Sequence, residues 1–445
     1  MNVGNRFRSA LLNLATSEAV QNARRSKEDL KRKLAGGRHV VTAFVELDDP
    51  YSYLLCQYLP ELAGHYDVDL DVRVAEALGG AFRPAPELYA EYAIDDCKRL
   101  ARELGLPFLD RNDTPPVEHR RKLLDALAGA AADEDFASDV FAAVSAYWRG
   151  DSAAVARRID DAARSGDGAA MLAANRARLE KLGHYNTAML HYGGEWYWGV
   201  DRLHYLVARL ASLGLLRRES TPPKIASIAA ATQLSLPVRP PAAAKELPAF
   251  ELFYSFRSPY SWLALSRMLA IADAFGLRVK IRPVMPMVMR GMQVPKSKLL
   301  YIAADASREA RRNNVPFGKM ADPVGAGVER CMAVYEYAVS QNRAREFLLA
   351  AGEAIWAKGI DVANDAGLRK VTAKAGLFWP EAKAALDDDE WRMKAEANRA
   401  DMMNSGSWGV PTIRIGDFVT WGQDRDWLVA RHLEELCDTG EGILI

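Results

Sequence analysis

The tripeptide Pro-Tyr-Ser stands at positions 50–52 and again at 259–261, and the interval of 209 residues between the two recurs along the chain. It separates Arg73 from Arg282, Tyr92 from Tyr301, and Pro107-Phe108 from Pro316-Phe317. Farther on, Trp198-Gly199-Val200-Asp201-Arg202 and Trp421-Gly422-Gln423-Asp424-Arg425 lie 223 residues apart, so the later stretch carries a net insertion of 14. An interval held over so many positions marks one structural unit written twice. A chain of 445 residues is long enough for each copy to bury its own core.

The second copy shows its local structure most clearly. Leu252 to Phe256 is apolar and aromatic enough for a buried strand, Arg257-Ser258-Pro259 breaks it, and Trp262, Leu263, Leu265, Met268 and Leu269 then follow helical spacing. Ser258 occupies the N-cap position and Pro259 the first helical position, where a missing N–H costs nothing. Its hydroxyl therefore sits at the positive end of a helix. That is either a cap worth about 1 kcal/mol or a place where a thiolate, phosphate or carboxylate is held. Ser407 to Asp417 and the following Phe418 to Arg425 read as a strand headed by Pro411, a Gly416-Asp417 turn, a second strand, and a helix opening at Asp424. Each copy is then a β-α-β half, a helical insertion, a β-hairpin and a closing helix. The insertions run from about Ala85 to Leu182 and from about Pro295 to Met403, and the first hairpin from Tyr185 to Trp198.

This order, with Leu-Phe-Tyr-x-x-x-Ser-Pro-Tyr-Ser-Trp at 252–262 and Val410-Pro411 ahead of the hairpin, resembles the family of 2-hydroxychromene-2-carboxylate isomerase and kappa-class glutathione transferase. These are relatives of the DsbA disulfide oxidoreductases with a thioredoxin fold. Ser258-Pro259-Tyr260-Ser261 stands where the DsbA relatives carry Cys-Pro-x-Cys, so no disulfide can form or exchange there. The resemblance implies an α/β chain of two tandem thioredoxin-like (DsbA-like) domains, each with a helical insertion. It also implies reduced glutathione as cofactor, with its sulfur near Ser258, whose hydroxyl and helix end would lower a thiol pKa from about 8.5 toward neutrality. A cis bond before Pro411 would turn Val410 toward the ligand. Asp424 matches the family residue that binds the γ-glutamyl amino group, with Gln423 and Arg425 beside it, and Lys298 matches a lysine placed for a carboxylate. Asp424 could equally cap the last helix, and Lys298 could be a solvated lysine. One segment, 284–300, departs from the family pattern: it is shorter, lacks the family's Gly-Asn, and carries Met285, Met287, Met289 and Met292, a wall able to adapt to a bulky aromatic ligand.

The first copy diverges at the same positions. Asp49 stands in place of Ser258, Ala188 in place of Pro411 and Tyr89 in place of Lys298. Aspartate caps a helix as serine does but repels a thiolate, so the first copy is expected to be degenerate and to support the second. The expected organisation is a basic helical arm over 1–38, with nine basic residues against three acidic, and a degenerate domain over 39–216. A Pro/Ala-rich linker over 217–248 then precedes the domain with the candidate site over 249–438.

With 58 basic and 58 acidic residues the chain has no global charge favouring nucleic acid. It shows no secretory leader and no membrane-spanning run, which implies a cytoplasmic location without stable membrane insertion. Cys56, Cys97, Cys331 and Cys437 form no Cys-x-x-Cys, and His184, His191 and His204 have no metal-ligand spacing, so no metal is expected. The leading functional expectation is a glutathione-dependent isomerase or transferase acting on an electrophilic aromatic small molecule, with a homodimer left open. The alternative is a non-enzymatic thioredoxin-fold module that binds a peptide or protein along Val410-Pro411. A disulfide oxidoreductase is set aside for want of paired thiols.

Overall fold

The computed structural model describes residues 3–108, 117–130, 136–162, 167–217, 224–241 and 247–439. It divides into two compact units, one of Asn22–Gln233 and one made of Met1–Gln21 together with Leu234–Ile445.

In the second unit, strands β5 (Phe250–Tyr254), β6 (Val279–Pro283), β7 (Thr412–Ile415) and β8 (Phe418–Trp421) form a sheet of order β6-β5-β7-β8. β5 pairs parallel with β6 and antiparallel with β7, and β7 continues antiparallel into β8. Strand β5 is central and buried throughout, which is why it reads as a continuous apolar run. Alternation still sorts its side chains. Phe250, Leu252 and Tyr254 enter the main core against helix Pro259–Phe275, while Phe253 packs on the other face with Val284 and Met402. Arg282 and Arg414 each lie 5.3 Å from the Phe253 ring, and both bond to Glu251, at 2.7 and 2.6 Å. Burial raises the Glu251 carboxyl, but the bonds from Arg414 and Arg282 outweigh it and hold the group below its ordinary value. Between β6 and β7 the chain makes helices Lys296–Arg312, Ala326–Ser340, Ala344–Trp356, Asp365–Lys374, Trp379–Ala384 and Glu390–Asn404.

In the other unit, β1 (Val40–Val45), β2 (Asp69–Val74), β3 (Met189–Tyr192) and β4 (Glu195–Trp198) form a sheet of order β2-β1-β3-β4 with the same parallel and antiparallel pairings. The helices between β2 and β3 include Pro86–Leu104, Phe136–Arg149 and Gly168–Lys181.

Two segments differ from the sequence expectation. Residues 3–21 are not part of a solvated arm: helix Val3–Thr16 packs within the C-terminal unit, with Ser9, Leu12 and Thr16 buried. Their spacing of three and four places them on one helical face, which the basic residues around them obscured. The Pro/Ala-rich stretch, expected as linker, contains helix Lys224–Ala231, which buries Ile225 and Ile228.

Candidate functional site

Strand β5 ends at Tyr254, and Ser258 caps helix Pro259–Phe275, its Oγ accepting the Ser261 N–H at 3.1 Å. Ser255 ties the junction from inside: its carbonyl accepts the Ser258 N–H at 3.0 Å and its own N–H donates to Ser261 Oγ at 3.3 Å. A half-buried hydroxyl is thus held at the start of a helix 17 residues long.

The partner segment comes from the far end of the chain. The Val410–Pro411 bond is cis, and the Val410 carbonyl accepts from Ser258 Oγ at 3.4 Å. Thr412 Oγ1 donates to the Gly409 carbonyl and meets Ser407 Oγ, both at 2.6 Å, while the Pro411 carbonyl accepts the Gly422 N–H at 3.0 Å. Gly409 is required here, since a Cβ would stand 2.8 Å from Trp421 Nε1, beside the Trp408–Trp421 ring pair. Ser258, Val410 and Pro411 are therefore brought together on a rigid frame.

The other expected residues divide. Lys298 is half-buried in the first turn of helix Lys296–Arg312, and burial pulls its ammonium down to about 8. Met285, Met287, Met289 and Met292, in the segment before it, are half-buried as well. Asp424 is partly exposed in the turn between β8 and helix Asp426–Thr439, which opens two residues later than the sequence suggests. Gln423 and Arg425 are buried, at 1% and 3% exposure. The Gln423 amide donates to Glu309 at 2.7 Å and its oxygens receive Arg267, which also pairs with Asp426 at 3.3 Å. The Gln423 side chain is thereby engaged inside the protein. Arg425 is buried beside Asp424, at 3.7 Å.

Two interactions escaped the sequence reading. Arg257 makes a two-pronged ion pair with Asp322 at 2.8 and 3.0 Å, directly before Ser258. Tyr260 donates to the buried Asp305 at 2.9 Å, which Arg308 also holds at 2.6 Å. Both carboxylates lie dozens of positions away, so no local pattern marks them.

The N-terminal unit repeats much of this frame. Tyr51 bonds Asp96 at 2.8 Å as Tyr260 bonds Asp305, and Glu46 N–H donates to Ser52 Oγ at 3.0 Å as Ser255 does to Ser261. Asn175 joins Arg73 to the Val74 carbonyl, and Asn398 joins Arg282 to the Pro283 carbonyl. Its junction chemistry differs. Asp49 caps through Ser52, and Glu46, Asp48 and Asp49 gather where the other unit has Ser255, Arg257 and Ser258. Burial pushes Glu46 up to about 7, with Asp49 and Asp48 adding to the effect against Arg83, and burial raises Asp49 too. All four cysteines are free, and burial lifts the Cys56 and Cys331 thiols to about 12. Among the described residues, no group of three or more His, Cys, Asp or Glu side chains could hold a metal ion, and no helix is long and apolar enough to cross a membrane.

A parallel β-α-β half joined to a β-hairpin by helices, with a cis proline facing a helix start, is the arrangement of a thioredoxin-like domain, and residues 249–434 match the DsbA-like thioredoxin domain family. Among individual proteins, the chain is 23% identical to 2-hydroxychromene-2-carboxylate isomerase of Pseudomonas putida over 42% of its length and 95% of that protein. It is 26% identical to the enzyme of the same name from Sphingobium xenophagum, over 39% of this chain and 92% of the relative. A solved structure of a 2-hydroxychromene-2-carboxylate isomerase aligns with 44% of the chain and all of its own, at 21% identity and a TM-score of 0.39.

Proposed function

We propose that the C-terminal unit is a glutathione-dependent isomerase or transferase for an electrophilic aromatic small molecule, and that the two units are tandem copies of which the first has lost the site. The observation that carries the reading is Ser258 Oγ at 3.4 Å from the Val410 carbonyl, beside cis Pro411 and at a helix start. The donor set suits the tripeptide chemically. Ser258 offers a hydroxyl and a helix end to a thiol, Lys298 an ammonium to a carboxylate, and Asp424 a carboxylate to an amine. Glutathione, when bound, supplies a thiolate nucleophile, and no side chain here needs to act as general base to generate it.

The duplication is supported by the shared sheet order and by the paired hydrogen bonds at Tyr51 and Tyr260, Ser52 and Ser261, and Asn175 and Asn398. At Asp49 the first copy presents a carboxylate, which caps its helix and repels a thiolate. Isothermal titration of the full chain with reduced glutathione tests the reading: one site per chain is expected, and no heat at millimolar ligand would overturn it.

A further inference from the structure

Helix Val3–Thr16 presents Ser9, Leu12, Asn13 and Thr16 on one face by their spacing of three and four. Leu12 enters the main apolar core of the C-terminal unit. The polar members bond across some 300 residues of sequence. Asn13 Oδ1 accepts the Met320 N–H at 2.8 Å and its Nδ2 donates to the Met320 carbonyl at 3.4 Å, so one side-chain amide pairs both backbone groups of that residue. Ser9 Oγ accepts the Asp322 N–H at 3.0 Å, and the Thr16 carbonyl accepts from Ser307 Oγ at 3.2 Å.

Asp322 is the residue that grips Arg257. Its carboxylate takes both prongs of the guanidinium, with Oδ1 also accepting the Val324 N–H at 3.1 Å. The side chains of this pair are 15% and 6% exposed, so water screens it little, and a bidentate geometry fixes orientation as well as distance. Arg257 is covalently next to Ser258.

We infer that the N-terminal helix is part of the scaffold of the candidate site, with Ser9, Asn13 and Asp322 acting as positioning residues that set Ser258 through Arg257. The inference rests on the reading of Ser258 as the centre of that site. It makes the DsbA-like domain of residues 249–434 incomplete by itself, since a segment from the opposite end of the chain closes it.

Hydrogen exchange on the full-length protein without ligand tests the inference, so that the outcome does not depend on whether glutathione binds. In the Ser9→Ala/Asn13→Ala double variant, the Met320 and Asp322 amides lose their acceptors and should exchange about tenfold faster. The Ser258 and Ser261 amides should follow by a similar factor, while helix Ala344–Trp356 keeps its rate as internal reference. Arg257→Gln cuts only the last link: Ser258 and Ser261 should quicken while Met320 stays protected. Ser9→Thr keeps a hydroxyl acceptor and should retain wild-type rates. Faster exchange at Met320 and Asp322 with Ser258 and Ser261 unmoved in both variants would overturn the inference, as would equal acceleration in the reference helix with Arg257→Gln. Where glutathione does bind, the apparent pKa of its thiol should rise in the Ser9→Ala/Asn13→Ala variant, which removes no charge, a change that loss of a merely structural contact would not produce.

Discussion

Ser258 caps a helix and is proposed to hold a thiolate, and substitution can separate the two tasks. Its Oγ accepts the Ser261 N–H at 3.1 Å, which is a helix cap, and its hydroxyl is the donor proposed to face a thiolate. Ser258→Ala removes both. Loss of the cap costs about 1 kcal/mol, which lowers the melting temperature of a unit of this size by about 2–4 °C. Loss of a hydrogen bond to an ionised acceptor costs about 1.5–3 kcal/mol, so the pKa of the bound thiol should rise by about 1–2 units and the rate at neutral pH fall roughly ten- to a hundredfold. Ser258→Asp divides the two effects. The N-terminal unit shows that aspartate caps this junction, since Asp49 accepts the Ser52 N–H at 3.0 Å. Stability should therefore return, while the added carboxylate raises the thiol pKa at least as far as alanine does. Ultraviolet absorbance of the thiolate against pH, paired with thermal melts, reads the two effects on the same samples. A thiol pKa unchanged in both variants, with melting lowered only by alanine, would reduce Ser258 to a cap and refute the reasoning.

Burial alone brings the Lys298 ammonium to about 8, so its charge is present below that pH and is lost as the pH climbs through it. Calorimetric affinity for glutathione should accordingly fall above about 8, and Lys298→Met should weaken binding roughly tenfold at neutral pH and abolish the step. Glu46 is the opposite case: folding raises its pKa from 4.5 to about 7, so stability is full below the first value and declines as pH rises through the second. Glu46→Gln should remove that decline and stabilise the protein at alkaline pH by up to about 3 kcal/mol, measured by urea unfolding on both sides of the titration. Gly352→Ala would place a Cβ 2.1 Å from Trp262 Cε3. The helix-propensity gain of about 1 kcal/mol is smaller than an overpacking cost of about 1–3 kcal/mol plus disturbance of the Trp262 bond to Pro316, so the melting temperature should fall and tryptophan fluorescence change.

What could be read in the sequence was local. Ser258-Pro259 after an aromatic strand specifies a capped helix through bonds within three residues, and that junction has the expected form. The resemblance supplied the counterpart at Val410-Pro411, which spacing could not, because 152 residues separate it from Ser258. Gln423 shows why residues adjacent in sequence need not share surroundings. Its neighbour Asp424 is partly exposed, whereas Gln423 turns inward to Glu309, a partner 114 positions away with no motif of its own. The burial of Leu12 and of Ile225 was hidden for a related reason: short apolar patterns among many charged or proline residues read as solvated until their docking surfaces are known.

The position of Asn13 has a consequence for synthesis. Its partner Met320 is 307 residues further along, so at about 5–20 residues per second the helix leaves the ribosome roughly 15–60 s before the peptide it must grip exists. For most of that interval its apolar side chains, Leu12 among them, have no docking surface in the unit they will join, since that core begins at Phe250. An entire intervening unit, Asn22–Gln233, is made first. The long-range bonds of Ser9 and Asn13 to Asp322 and Met320 therefore raise the contact order of the C-terminal unit, and they can form only after the intervening unit has been made.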